Sequence, residues 1–413
     1  MLNVMRKFIF PKLTILLATI VSLQLAACGG GGGGGGGSGS SSNWPAKVGV
    51  TSKDRALAMA PDSQGNVYVT GYTVGAFPGY TNAGGKDMYV LKVDPNGNVL
   101  WTRQIGTSGR DVGLGIVAGS NGSVYVSGYS ANDISAVARH KEGHYNGFLM
   151  KINGSTGAVE KTAMYGDNPA EYAVFFSLAM GQNGALCVSG EIISASGSAG
   201  LVACYNENLD LTADRRVDGS GLCTAVAIAD NGNVAVACAV RNTSTTSLSV
   251  NLNEFLALSG DLEALIFKVF FTDILTAFNQ LFWYGNSIVG VAKTDIGIAN
   301  TETGESVIIA APDGTYSMAA AKSGDSLTVV AQEKPKSGEK TKASVWGVSE
   351  VMGAWAFTRP AKKLGEIAVR IGDALVPEGG SMQSLDDSLI LTNPTEEAPE
   401  SVVPWLTPIA VIA

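Results

Sequence analysis

Acidic side chains recur at one position of a repeated pattern, and their spacing suits a metal site. Asp54, Asp111 and Glu171 each lie eleven to thirteen residues before a turn glycine that opens a copy of a short strand motif. If the copies are structurally equivalent, the three carboxylates lie around the mouth of a central channel, where their oxygens suit Ca²⁺. The alternative is that each carboxylate accepts backbone N–H bonds from its own loop, as Asp often does in turns.

The two histidines, His140 and His144, lie together in the segment RHKEGHYNG. A spacing of four residues places both rings on one face of a helix, where they can share a metal ion. Gly143 weakens a helix at this point, so we interpret both histidines as residues of a solvated loop on the binding face. With both histidines in one loop and no G-x-S-x-G motif, the sequence favours a protein without a catalytic nucleophile.

Four cysteines of the chain body form two pairs around predicted hairpin turns. In each pair, Cys187 with Cys204 and Cys223 with Cys238, the two residues are equidistant from the turn and therefore oppose each other. Directly opposed β-carbons lie about 4.5–5.5 Å apart, which is wider than a disulfide prefers. An oxidising compartment favours bridges and this geometry opposes them, so the two states are nearly balanced. We expect buried thiols, and if bridges form we expect the pairing 187–204 and 223–238.

The strand motif itself predicts the elements that position these residues. The copies GNVYVTGYT at Gly65 and GSVYVSGYS at Gly122 are followed by GALCVSGEI at Gly184 and GNVAVACAV at Gly232. Weaker copies follow, in the order NSIVGVAKT, DSLTVVAQE and DSLILTNPT. Each copy has a turn pair and then alternating aliphatic positions, which is typical of a strand after a tight turn.

Further apolar segments around each copy indicate four strands per repeat. A period near fifty residues with four antiparallel strands is typical of a β-propeller blade, and radial closure protects the sheet edges. We therefore predict an all-β fold, a β-propeller of seven four-stranded blades, over residues 43–413. The segment from Trp44 is expected to complete the last blade and close the ring. A pair of β-sandwiches is the alternative, because alternating strands also occur there.

Two blades resemble a known repeat family. The segment from Asp54 to Gly166, which includes FPGYTNAGGKDMYVLKVDPNGNVLWTRQIG, resembles the SBBP-type β-propeller repeat of bacterial extracytoplasmic proteins. The resemblance implies a propeller fold outside the cytoplasm and little about activity. The portion VLWTRQIG also resembles the tryptophan repeat of quinoprotein-like propellers, which include both pyrroloquinoline quinone enzymes and cofactor-free scaffold lipoproteins.

The amino terminus resembles a bacterial lipoprotein signal peptide. Residues 1–27 carry three basic side chains, and their apolar run is too short for a stable membrane anchor. This segment ends in Leu25-Ala26-Ala27-Cys28, which resembles a lipobox and implies lipid on Cys28. Residues 28–42 are rich in glycine and serine and are interpreted as a flexible tether. The absence of Asp after Cys28 implies an outer-membrane lipoprotein facing the periplasm or the cell surface.

The charge balance narrows the possible partners. Without residues 1–27 the chain has 25 basic and 36 acidic side chains, a net charge of −11, which argues against a nucleic-acid partner. Long predicted loops such as 72–86 and 129–145 share one rim, which is interpreted as the binding face. We expect a non-catalytic interaction module for an envelope protein or glycan. The alternatives are a quinoprotein-like or polysaccharide-active enzyme, and a surface lipoprotein that only supports its neighbours.

Overall fold

The computed structural model describes most of the chain from residue 46 onward. The described residues are 46–47, 50, 54–131, 134, 145–165, 171–194, 197–217, 219, 221–241, 250–272, 274, 276–312, 315–323, 326–333, 343–351, 354–358, 382–385, 388–392 and 405–410. Cys28, His140 and His144 lie outside them. Within this part of the chain every regular element is a β-strand, and no membrane-spanning helix is found.

The strands follow one another along the chain in groups of four. The first strand is β1 (Ala46–Lys47). Five sheets follow: β2 (Arg55–Pro61), β3 (Val67–Thr73), β4 (Asp87–Val93), β5 (Val99–Ile105); β6 (Asp111–Ala118), β7 (Ser123–Ser130), β8 (Asn146–Asn153), β9 (Val159–Met164); β10 (Tyr172–Met180), β11 (Leu186–Ser194), β12 (Gly197–Tyr205), β13 (Leu211–Val217); β14 (Leu222–Ile228), β15 (Val234–Arg241), β16 (Val250–Leu258), β17 (Leu265–Phe271); and β18 (Gln280–Tyr284), β19 (Ser287–Val291), β20 (Asp295–Asn300), β21 (Ser306–Ala310). The remaining strands are β22 (Thr315–Ser323), β23 (Ser326–Glu333), β24 (Ala343–Val351), β25 (Ala354–Thr358), β26 (Met382–Leu385), β27 (Ser388–Thr392) and β28 (Trp405–Ala410).

The sheets are antiparallel meanders, as the repeated motif predicts. Six of the sheets formed by the described residues contain four consecutive strands each, and another has the order β1-β28-β27-β26. The motif copies at Gly65 and Gly122 form β3 and β7, and both glycines have a positive φ, 83° and 79°, at the tight turn. The all-β prediction is confirmed, and the four-stranded antiparallel sheets fit the predicted β-propeller.

A second glycine of the motif is required by a close backbone approach. A β-bulge in β6, between Gly113 and Gly115, brings the Val112 carbonyl toward β7. A Cβ placed on Gly128 would lie 1.9 Å from that carbonyl oxygen. The same arrangement recurs in the first sheet, where a Cβ on Gly71 would lie 1.9 Å from the Arg55 carbonyl oxygen. The Gly-Tyr step of the motif therefore follows from the bulge in the neighbouring strand.

Hydrophobic side chains join neighbouring sheets into shared cores. Met88 and Val90 of β4 pack in one cluster with Val126 of β7 and with Phe148 and Met150 of β8. These side chains are 0–1 % exposed, so the first two sheets bury their facing surfaces almost completely. Burial of this kind supplies the main favourable free energy of folding and fixes the two sheets against each other.

The cysteines form two disulfides, so the expectation of buried thiols is wrong. Cys187 is bonded to Cys204, and Cys223 to Cys238, which is the pairing predicted for bridges. The Cα–Cα distances are 4.1 and 3.9 Å, so both pairs occupy narrow positions of their ladders rather than the wider ones. Both bridges lie in one buried cluster shared by the third and fourth sheets.

Candidate functional site

The predicted acidic residues hold loops in place. The buried Asp54 carboxylate accepts hydrogen bonds from the Val50 and Val74 backbone N–H groups and, at 2.7 Å, from the Thr73 hydroxyl. This ties the segment before β2 to the end of β3. Thr73 is the last residue of the motif copy GNVYVTGYT and lies 19 residues after Asp54.

The same arrangement recurs in the second sheet. The buried Asp111 carboxylate accepts hydrogen bonds from the Thr107 backbone N–H at 2.6 Å, from the Thr107 hydroxyl and from the hydroxyl of Ser130, the last residue of β7. Burial raises the pKa of the Asp111 carboxyl above its usual value, although the Ser130 and Thr107 hydrogen bonds act in the opposite direction. Asp54 and Asp111 are therefore equivalent anchors of successive repeats.

Glu171 departs from this pattern, and the three carboxylates do not form a shared cation site. Glu171 makes a 2.8 Å ion pair with Arg216 of β13, an exposed side chain. Among the described residues, no three His, Cys, Asp or Glu side chains lie close enough together to hold a metal ion. Among the described residues the three carboxylates therefore do not assemble as a ligand set for Ca²⁺. Asp54 and Asp111 accept backbone N–H bonds from their own loops, which is the alternative that the sequence left open, whereas Glu171 pairs with a side chain of another strand.

Five residues that the sequence did not single out form a group on the predicted binding face. Tyr72 and Tyr129 are the second-last residues of β3 and β7, and Lys86, Arg110 and Tyr145 directly precede β4, β6 and β8. All five lie at the rim where the loops 74–86 and 131–145 connect the strands, which we name the long-loop rim. We call the five residues the cation–tyrosine cluster.

Backbone pairing brings together the cluster residues of the first and second sheets. The Asp111 N–H donates to the Lys86 carbonyl at 2.7 Å, and Lys86 and Arg110 form an isolated parallel β-bridge. The Lys86 ammonium lies 3.7 Å from the centroid of the Tyr72 ring, and the Tyr129 and Tyr145 rings pack edge to face at 5.0 Å. Lys86 is half-buried, whereas Arg110 is exposed.

The polar groups of the cluster are available to a ligand. Within the described part of the chain, the hydroxyls of Tyr72, Tyr129 and Tyr145 have no hydrogen-bond partner, and Lys86 and Arg110 have no carboxylate within ion-pair distance. Burial raises the pKa of the Tyr129 hydroxyl, the neighbouring Tyr145 adds to the shift, and Arg110 acts against it. Three phenols and two cations therefore lie close together on the rim.

Buried carboxylates lie next to the cluster and offset part of its positive charge. Asp54 and Asp111 are fully buried, and Asp87, the residue after Lys86, is 1 % exposed. Asp87 accepts hydrogen bonds from the Ala83 N–H at 2.9 Å and from the Gln104 amide at 2.8 Å. The carboxylates are buried, whereas Lys86 and the three tyrosines are half-buried and Arg110 is exposed.

A separate cavity of about 630 Å³ lies on the opposite rim, where the tight turns connect first and second strands. It is lined by the ends of β10, β14, β18 and β22 and by the turns after β14 and β18. Its size falls within the range of small-molecule sites in proteins. The sequence prediction, which considered only the long-loop rim, did not include it.

Comparison with known proteins shows only a likeness of fold. No protein-family model and no curated protein matches the chain. A chain from the mitotic checkpoint complex is similar with a TM-score of 0.51 at 11 % identity, covering 87 % of this chain and 91 % of that one. The WD40 domain of Pan2 from Neurospora crassa has a TM-score of 0.45 at 10 % identity, covering 72 % of this chain and 90 % of that one. A protein of unknown function from Dyadobacter fermentans has a TM-score of 0.48 at 8 % identity, covering 87 % and 96 %. At 11 % identity, the likeness to the chain from the mitotic checkpoint complex is evidence for the fold alone.

Proposed function

We propose that the protein is a lipid-anchored propeller of the bacterial cell envelope that binds an acidic polysaccharide and catalyses no reaction. The single observation that carries the binding proposal is the cation–tyrosine cluster. Among the described residues, its phenol hydroxyls have no hydrogen-bond partner and its two cations have no carboxylate partner. Hydroxyl groups both donate and accept hydrogen bonds, so three phenols suit a ligand that presents many hydroxyls of its own. The two cations suit carboxylates on the same ligand.

The charge beneath the cluster favours this ligand class over a densely charged one. Asp54, Asp87 and Asp111 offset part of the positive charge of Lys86 and Arg110, and the whole chain is acidic. A nucleic acid, with a phosphate on every nucleotide, needs an extended basic surface. A polysaccharide with one carboxylate per sugar ring needs only a few cations, placed among hydroxyl-binding groups.

The proposed architecture is a closed ring of seven blades. The pairing of β1 with β28 supports it, because Ala46 lies opposite Leu406 and so joins the first strand to the last. The packing of β26 against both β22 and β2 supports it as well. A closed ring holds β2 to β9, and with them the long-loop rim, in a fixed frame. Such a frame reduces the entropy lost when a ligand binds.

Removal of the two cations tests the binding proposal. We expect the purified full-length protein to bind polygalacturonate, and we expect the Lys86→Ala/Arg110→Ala double variant to bind at least tenfold more weakly, because charge-assisted hydrogen bonds are lost. Isothermal titration calorimetry measures both affinities. The matched control is Lys161→Ala, which removes an exposed cation from β9 on the outer edge of the second sheet.

Fully methyl-esterified polygalacturonate, which has the same sugar chain without the charges, is the control ligand. We expect it to bind weakly to the wild type and to be insensitive to the double variant. Equal binding of polygalacturonate to the wild type and to the double variant, with Lys161→Ala unchanged, contradicts the proposed site.

The membrane anchor is tested by removing its acceptor. Cys28 lies outside the described residues, and its role rests on the lipobox-like segment that precedes it. We expect Cys28→Ser to move the protein from the membrane fraction to the periplasmic fraction, because stable anchoring requires more than one acyl chain. Cell fractionation with mass spectrometry of the mature amino terminus measures this. Membrane retention of a correctly processed variant argues against lipid on Cys28.

A further inference from the structure

The cavity on the tight-turn rim has a lining that differs in character from the cation–tyrosine cluster. Its apolar lining includes Leu178 and Ile228, near the ends of the first strands β10 and β14, and Leu281, the second residue of β18. The Trp283 indole also lines it and is held in place by donating its N–H to the Ala227 carbonyl at 3.3 Å. Aliphatic and aromatic groups therefore form part of the lining.

Three of the six polar side chains in the lining are uncharged amides. The side-chain amides of Asn233 and Asn286 have no hydrogen-bond partner within the described part of the chain. Asn231 uses its side-chain oxygen to accept the Asn233 N–H at 3.0 Å, which leaves its NH₂ group available. Each amide has two donors and an acceptor and carries no net charge.

The charged residues of the cavity are both engaged. Lys322 donates to the Trp283 carbonyl and lies 4.6 Å from the Tyr284 ring centroid. Asp230 accepts a hydrogen bond from the Gln182 amide at 2.8 Å through one carboxylate oxygen. Their opposite charges balance, so the cavity offers no net charge to attract an ion.

We propose that this cavity is a second binding site, specific for a neutral saccharide. A sugar ring has C–H faces that pack on apolar and aromatic side chains and an edge of hydroxyls that pair with amides. The lining of the cavity includes the matching groups, namely Trp283 with aliphatic side chains and the asparagine amides. An acyl chain is disfavoured, because it would remove water from the amides without replacing their hydrogen bonds. This proposal does not depend on the acidic polysaccharide at the long-loop rim.

A panel of neutral trisaccharides tests the second site. The purified full-length protein is titrated with maltotriose, cellotriose and chitotriose, each to about 10 mM, which detects weak binding. Saturation-transfer NMR and calorimetry measure the interaction. We expect at least one trisaccharide to bind, and binding of none of the three overturns the proposal.

Variants of the amides decide whether the binding occurs in this cavity. Asn233→Ala and Asn286→Ala are each expected to weaken binding by about tenfold, because each removes hydrogen bonds to the sugar. The matched control is Asn96→Ala, in a tight turn of the first sheet that does not line the cavity. Thermal unfolding confirms that each variant is folded. Binding that is unchanged by both asparagine variants overturns the assignment.

The two sites can be separated in the same experiments. Lys86→Ala/Arg110→Ala is expected to leave trisaccharide binding unchanged, and the two asparagine variants are expected to leave polygalacturonate binding unchanged. Loss of polygalacturonate binding alone would therefore count against the proposed function, whereas loss of trisaccharide binding alone would count against the second site.

Discussion

Removal of both disulfides is expected to lower the free energy of unfolding by about 6 kcal/mol, with about 3 kcal/mol from each bridge. The bridges Cys187–Cys204 and Cys223–Cys238 close segments with sequence separations of 17 and 15 residues, and opening each one increases the conformational freedom of the unfolded chain. Replacement of each pair by alanine also removes buried sulfur from the core that the third and fourth sheets share. Chemical denaturation of the two paired variants and of the fourfold variant measures the losses.

The comparison between the two pairs supplies the control. Because the bridges have similar separations, the two paired variants should lose similar stability. Peptide mapping without reduction should find each bridge intact when the other has been removed. A fourfold variant as stable as the wild type, or a crossed bridge such as Cys187–Cys223, contradicts the strand register described above.

Substitution of the second motif glycine is expected to lower the free energy of unfolding by about as much as the loss of one disulfide. In Gly128→Ala the new Cβ would lie 1.9 Å from the Val112 carbonyl oxygen, which belongs to the backbone of a bulged strand and cannot rotate away. We expect a loss of about 3 kcal/mol, at the upper end of the usual cost of overpacking. Urea denaturation of the full-length variant measures it.

The neighbouring Ser127→Ala variant is the matched control. The Ser127 hydroxyl is fully buried and has no hydrogen-bond partner in the structure. Its removal is expected to be neutral or stabilising, because a buried polar group without a partner is unfavourable. A Gly128→Ala variant that is as stable as Ser127→Ala would show that β6 and β7 are not as close as the structure places them.

The repeated motif predicts more of the fold than of the candidate site. Strand alternation after a turn glycine predicts β3 and β7, and the position of each cysteine relative to its turn predicts the correct partner. Whether the cysteines bridge depends on the local Cα–Cα distance, which spacing along the chain does not determine. The expectation of thiols was wrong for that reason.

The cation–tyrosine cluster is harder to predict because it combines two repeats. Tyr72 and Tyr129 occupy equivalent positions of the motif, so the sequence contains a signal for them. Lys86 and Arg110 come together only through the β-bridge between the first two sheets, and that contact depends on how the sheets pack. The acidic residues recur with the motif, and structural anchors recur in the same way, as Asp54 and Asp111 show.

Protection of the cluster tyrosines from nitration by bound polygalacturonate tests the proposed binding site most directly. The full-length protein is nitrated with tetranitromethane in the presence and absence of polygalacturonate, and the modified peptides are quantified by mass spectrometry. Tyr284 is the control, because it is half-buried like the cluster tyrosines and ends β18 on the opposite, tight-turn rim. We expect polygalacturonate to lower the nitration of Tyr72, Tyr129 and Tyr145 and to leave Tyr284 unchanged. Equal nitration of the three cluster tyrosines with and without bound polygalacturonate would contradict the proposed site.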